Sequence, residues 1–181
     1  MFIISKVRRK ISKRREIKNK EYLLNHGLII GENVNIDFNS IDGLYPWLIE
    51  IGSNILFAPG VKILAHDAST QMHLGKAKIG RVTIGDNVYI GLNSTVLCNN
   101  KIGNNVIIGA GSIVTTDIPD NSVYAGNPAK YICSYDEYMN KNRELISRRP
   151  NFESPFWIWP NKDKKEWQDM KEKLKDGMGY L

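Results

Sequence analysis

The chain has 181 residues, enough for one domain with appendages and a proper core. Hydrophobic residues make up 42% and charged residues 24%, ordinary for a soluble globular fold, and no apolar run approaches the ~18 residues of a membrane span. The two cysteines, Cys98 and Cys133, show no metal or redox spacing and read as reduced thiols, and three histidines are too few for most metal clusters.

The net charge of +6 is uneven. Residues 1–20 hold nine Lys and Arg against Glu16 alone, and an arm of net +8 leaves the remainder at −2. Residues 1–27 are predicted as a basic helical arm with Ile3, Ile4, Val7 and Ile11 along one face. Its charges follow the short apolar stretch, which is not the order of a secretory signal. Two readings of the arm stand. One is adsorption to an anionic membrane surface, at about 1 kcal/mol per cation; the other is a solvated helix packing its few aliphatics on a neighbour. Nucleic acid is not an expected partner, because no aromatics interleave the cations.

A solenoid is predicted over residues 28–132. Ile84, Ile90, Val96, Ile102, Ile108 and Val114 stand six apart, and glycine follows four of them, as Gly85, Gly91, Gly103 and Gly109. Two positions before each stands a smallish residue: Val82, Val88, Ser94, Asn100, Val106 and Ser112. Neither a helix nor a strand pair has this period; a coil of short strands and tight turns does. The aliphatics are expected to fill the interior, the smaller residues to fit beside them, and the glycines to take the corner conformations. Upstream, Ile30-Gly31, Ile36-Asp37, Ile51-Gly52, Phe57-Ala58 and Ile63-Leu64 carry the same beat, which breaks over Asn39–Glu50 and Ala65–Arg81. A coil absorbs insertions as loops, often on its binding face, so the breaks mark candidate site loops. The second contains His66, Asp67 and His73.

After Val114 come a turn-rich stretch, Thr115–Ser122, and a final loop, Ala125–Lys130. Residues 133–181 are predicted as a helical extension. Ser134 and Glu137 form a capping box for a helix to about Arg148, and a second helix, about Lys162–Lys175, aligns Trp167, Met170 and Leu174. Between them Phe152, Phe156, Trp157 and Trp159 are expected as a lid over the end of the coil.

The stretches Ile84-Gly85-Asp86-Asn87-Val88-Tyr89-Ile90-Gly91, Ile108-Gly109-Ala110-Gly111-Ser112-Ile113-Val114-Thr115 and Ala125-Gly126-Asn127-Pro128-Ala129-Lys130 together resemble the hexapeptide-repeat acyltransferases. Within that family the chain looks most like the bacterial O-acetyltransferases of galactosides, maltose and cell-surface polysaccharides. The resemblance covers about Gly31 to Ile132. It implies an all-β solenoid, a left-handed parallel β-helix of triangular coils, assembled as a homotrimer with sites between subunits. It also implies acetyl-CoA as co-substrate, no metal, and a sugar or polysaccharide-precursor hydroxyl as acceptor.

Moving an acetyl group from a thioester to a hydroxyl needs a base, a donor for the developing oxyanion and alignment of both substrates. His66 is the expected base: it directly follows the step Ile63-Leu64-Ala65 and lies where the family's catalytic histidine falls. Asp67 stands where sugar acetyltransferases often have proline. Asp67, Asp37 and Asn39 are the candidates for orienting His66 or binding acceptor, and a solvated corner aspartate is an equal reading of Asp37. The resemblance places Leu92, Ala110, Thr115, Thr116 and Lys130 along the CoA channel, with backbone at Leu92 and Ala110 meeting pantetheine and Lys130 meeting phosphate. Many relatives carry lysine where Thr116 stands. Neither cysteine has a nucleophile-like setting, so direct transfer is expected.

The function expected is O-acetylation of a sugar in capsule, exopolysaccharide or O-antigen biosynthesis, in the cytoplasm or at the inner face of the membrane. Alternatives are an antibiotic or sugar-nucleotide N-acetyltransferase on the same fold, or a non-catalytic hexapeptide-repeat assembly module. A γ-type carbonic anhydrase would need three well-placed histidine ligands, which His26, His66 and His73 do not offer by their spacing.

Overall fold

A computed structural model describes residues 15–152 and 164–181. The predicted face of Ile3, Ile4, Val7 and Ile11 and the aromatics Phe156, Trp157 and Trp159 lie outside the described residues. The chain divides into two compact units, the first ending at Tyr135 and the second spanning Asp136–Leu181. Among the described residues no helix is long and apolar enough to cross a membrane.

The first unit is built from three parallel sheets. One contains β1 (Ile29–Ile30), β3 (Ile49–Ile51), β8 (Val82–Ile84) and β11 (Asn100–Ile102). The second contains β2 (Val34–Asn35), β4 (Ile55–Phe57), β9 (Val88–Ile90), β12 (Val106–Ile108) and β14 (Ser122–Ala125), with β15 (Lys130–Ser134) added antiparallel at its end. The third contains β5 (Lys62–Ile63), β10 (Thr95–Val96) and β13 (Ile113–Val114). The chain visits the sheets in rotation, β8 to β9 to β10 and then β11 to β12 to β13. Ile84 therefore pairs with Ile102, Ile90 with Ile108 and Val96 with Val114, one coil being three steps of the six-residue beat.

The inward pattern follows from this register. The six aliphatics of the beat are at most 1% exposed, and the residues two positions earlier are buried as well. Ser94 and Ser112 are admitted to this interior because both hydroxyls donate to the Gly109 carbonyl, at 2.9 and 2.6 Å. Asn100 donates inward to the Leu97 carbonyl at 2.9 Å. These bonds offset the cost of burying polar atoms.

The corners correct one expectation. Gly85, Gly91, Gly103 and Gly109 do not take left-handed backbone; among the described residues every non-glycine position with positive φ is asparagine, namely Asn33, Asn54, Asn87, Asn93, Asn99, Asn105 and Asn121. The glycines answer a different constraint, the approach of the next coil. A Cβ at Gly103 would stand 2.6 Å from the Asp120 nitrogen, and one at Gly91 would stand 2.5 Å from the Ala110 nitrogen. Between the first and second sheets the asparagines stack into a ladder, Asn33 to Asn54 to Asn87 to Asn105 to Asn121, with amide hydrogen bonds of 2.8–3.1 Å.

Both breaks of the beat fall at one corner, where the chain leaves the third sheet for the first. Ile41 bridges Ile63, which pairs with Val96. The first loop leaves after Ile41, the second after Ile63, so their roots lie on adjacent rungs. Beside the first of these loops residues 15–25 are helical and bury Leu23 completely in the core, while Asn19 donates to the Phe38 carbonyl at 2.7 Å.

In the second unit, helix Tyr135–Arg148 is joined to the chain end by a hydrogen bond of 2.9 Å from the Tyr180 hydroxyl to Asn142. Helix Lys164–Lys173 follows, with Trp167 half exposed. Phe152 and Tyr180 are tied by a backbone bond of 2.9 Å.

Candidate active site

The second break is a hairpin. Its stem pairs β6 (His66–Asp67) with β7 (Lys78–Ile79) antiparallel, His66 opposite Ile79 and Asp67 opposite Lys78. Gly80 closes the neck by donating to the Ala65 carbonyl at 3.0 Å. His66 thus stands on a paired strand at the point where the loop leaves a fixed coil. His73, by contrast, is on the exposed tip, in the short helix Gln71–Leu74.

The partner of His66 is Asp42, which the sequence reading did not nominate. Asp42 Oδ2 lies 2.5 Å from His66 Nδ1, and the two side chains are 3% and 28% exposed. Asp42 Oδ2 also accepts from Ala65 N–H and Oδ1 from Leu44 N–H, both at 3.0 Å. A carboxylate so placed is an acceptor only, which assigns the ring proton to Nδ1 and leaves the lone pair on Nε2. Tyr45 lies beside the imidazole, with ring centroids 5.4 Å apart. A cleft of about 760 Å³ opens here, lined by His66, Asp67, Lys78, Cys98 and Thr115 among others.

Asp67 does not orient the histidine. Its carboxylate is 2.5 Å from the Lys78 ammonium and accepts from Ser69 N–H at 2.8 Å. The hydrogen bond from Lys78, and then that from Ser69, lowers its pKa to about 2, while Asp67 raises that of Lys78. A carboxyl depressed by folding contributes stability that is complete above its ordinary value and lost only as pH falls through about 2, so the stem pair stays ionised at neutral and mildly acid pH. Asp37 and Asn39 bind each other. Asp37 Oδ1 accepts from the Asn39 side chain at 2.7 Å and from its backbone at 2.8 Å, capping the short turn Phe38–Ser40. Neither lines the cleft.

Of the expected donor-site residues, Leu92 and Ala110 are exposed and stack at the corner between the second and third sheets. The Leu92 carbonyl accepts from Gly111 N–H at 2.7 Å, and Gly111 is left-handed with nothing within 4 Å of where a Cβ would stand. At that corner two exposed residues stand beside the open space at Gly111. Thr115 lines the His66 cleft; Thr116 beside it is exposed, and Lys130 is exposed opposite Ala125 in the β14–β15 pair. Among the described residues no group of three or more His, Cys, Asp or Glu is placed to hold a metal ion.

Asp42 was discoverable through one signal. Ile41-Asp42, inside the expected first break, repeats the step Ile63-Leu64 that precedes the second, and aligning the two sets Asp42 beside the root of the His66 loop.

No family model matches the chain. The galactoside O-acetyltransferase of Escherichia coli (strain K12) is 39% identical over 106 residues, 57% of this chain and 52% of that protein. The putative lipopolysaccharide biosynthesis O-acetyl transferase WbbJ of the same strain is 36% identical over 100 residues, 49% of this chain and 51% of that protein. Among solved structures, a hexapeptide-repeat acetyltransferase of Vibrio cholerae complexed with acetyl coenzyme A shares the fold, at a TM-score of 0.51 and 24% identity over 60% of this chain and 61% of that one. The maltose O-acetyltransferase of Clostridium difficile 630 is 30% identical, covering 64% of this chain and 73% of its own, with a TM-score of 0.48. The chain spans between 28% and 65% of the length of eight curated relatives it matches. By these identities and this coil, the chain has the fold of the hexapeptide-repeat acetyltransferases and is similar in sequence to sugar O-acetyltransferases.

Proposed function

We propose that the protein is an acetyl-CoA-dependent O-acetyltransferase acting on a sugar hydroxyl in surface-polysaccharide biosynthesis, with His66 as general base. The observation that carries this reading is the contact between His66 Nδ1 and the buried Asp42, at the edge of a cleft large enough for a substrate. Sugar O-acetyltransferases among the relatives supply the acceptor class, and the name of WbbJ supplies the polysaccharide setting.

Acetyl-CoA supplies an activated acyl group. His66 Nε2 takes the proton of the acceptor hydroxyl as the ester C–O bond forms, and returns it to the departing sulfur as the C–S bond breaks. Asp42 holds the imidazole in the tautomer that does this and steadies its cationic form between the two transfers. The exposed corner at Leu92, Ala110 and Gly111 fits pantetheine amides, and Thr115, Thr116 and Lys130 belong to the same reading, Lys130 as a point charge for phosphate. A left-handed coil, a homotrimer with the cleft completed by a neighbouring copy, and a setting in the cytoplasm or at the membrane's inner face are its remaining parts.

The test is release of free thiol from acetyl-CoA in the presence of sugar acceptors. His66→Ala should lower the rate by at least about 10²-fold, the usual contribution of a positioned base. Equal rates for the two proteins would overturn the reading.

A further inference from the structure

The loop of the first break carries an aromatic row, half-buried Tyr45 and exposed Trp47, that the proposed chemistry does not use. Trp47 is 55% exposed, yet its stem is fixed. Its Cβ lies against the main chain of Gly27, where a Cβ would come within 2.9 Å of it, and buried Pro46 opens the short turn Pro46–Leu48 that holds its backbone. The Tyr22 hydroxyl donates to the Gly43 carbonyl at 3.3 Å and ties the loop to the N-terminal helix. The indole meets Tyr45 edge-on at 5.6 Å and 69°, and Tyr45 in turn lies 5.4 Å from the His66 imidazole. The two separations put Trp47 no more than 11 Å from the expected base.

An indole held at its stem and open at its ring loses little conformational freedom when something lies on it, and it presents a large apolar face with negative charge density. The C–H face of a pyranose is apolar and electropositive, and matches it. Tyr45 touches both rings and so sets Trp47 one aromatic ring removed from His66, which suits a unit next to the one whose hydroxyl meets the base. We propose that Trp47, backed by Tyr45, is a stacking subsite for a sugar unit next to the acetylated one, so that the acceptor is a glycan chain rather than a free monosaccharide. This inference rests on the O-acetyltransferase reading, whose acceptor it specifies.

The experiment measures binding separately from turnover. Affinities of glucose through maltotetraose, and of the matching galactose ladder, are determined by calorimetry for the wild type, Trp47→Ala and Trp47→Phe, in the presence of coenzyme A. For at least one ladder the wild type should bind the longer members more tightly. Trp47→Ala should lose about tenfold on those while changing monosaccharide binding by less than about twofold, and Trp47→Phe should keep most of the gain. Affinity independent of length in the wild type, or an equal loss on every member in Trp47→Ala, would overturn the subsite. So would a Trp47→Ala protein that changes its oligomeric state, which would make the row an interface between copies. Failure of the transferase reading shows itself differently, as absence of thiol release with any acceptor while the length dependence stands.

Discussion

A carboxylate sealed from water beside an imidazole chooses which of its nitrogens carries the proton. Asp42 is in that position, 3% exposed and holding two backbone N–H groups besides the histidine. Asparagine there keeps the size and loses the function, since its amide can present N–H groups to Nδ1 and reverse the tautomer. For Asp42→Asn we expect kcat to fall by about 10²-fold with the KM for acetyl-CoA within about twofold, measured by thiol release across pH. An unchanged kcat would mean that His66 does not depend on its orientation. Alanine is the less informative variant, because it strands the Ala65 and Leu44 N–H groups and costs about 1–3 kcal/mol for each unsatisfied donor, confusing stability with chemistry.

At the level of elements, the repeat is held by corners as much as by its core. Asn87 takes φ +57°, accepts from the Asn54 side chain at 3.1 Å and donates to Asn105 at 3.0 Å. Asn87→Gly removes the two ladder bonds and keeps the backbone at ease; Asn87→Ala removes the bonds and adds the left-handed penalty of about 1–2 kcal/mol. Thermal unfolding should therefore rank wild type above Gly above Ala. Ala at or above Gly would show that the corner tolerates a Cβ and that the ladder alone matters. The beat itself was legible in the sequence, because each aliphatic faces inward on a fixed period. The reason for its glycines was not: a Gly after four of the six aliphatics reads equally as a left-handed turn or as a close approach, and only the neighbouring coil, 18 residues away at Gly85 and Gly103, decides between them. Asp42 was hidden for a related reason. It lies 24 residues from His66, and its meeting with the ring depends on two insertions of different length leaving from the same corner. Asp67, adjacent in sequence, was the natural candidate, and strand pairing turned it to Lys78 instead.

At the scale of the whole molecule, the hairpin that carries His66 is uncovered in a single chain. Met72 and Leu74 at its tip are 88% and 71% exposed, and Ile79 on its stem is 58% exposed. Apolar side chains clustered on one projecting loop are what an interface between copies leaves uncovered in a single chain. A cyclic trimer would cover them and close the outer side of the cleft with a neighbour's surface, which links assembly to activity. Sedimentation equilibrium should then give about 62 kDa, three times the 20.6 kDa of one chain. Replacing Met72 and Leu74 together by aspartate places two charges where the neighbour packs; it should release 20.6 kDa monomers and abolish thiol release. Because both side chains are in solvent and outside the core, the monomer should keep its fold, and circular dichroism would verify this. A trimer unaffected by the double substitution would move the interface elsewhere on the coil. A monomer with full activity would mean that one chain, with its own Asp42 and His66, forms the complete site.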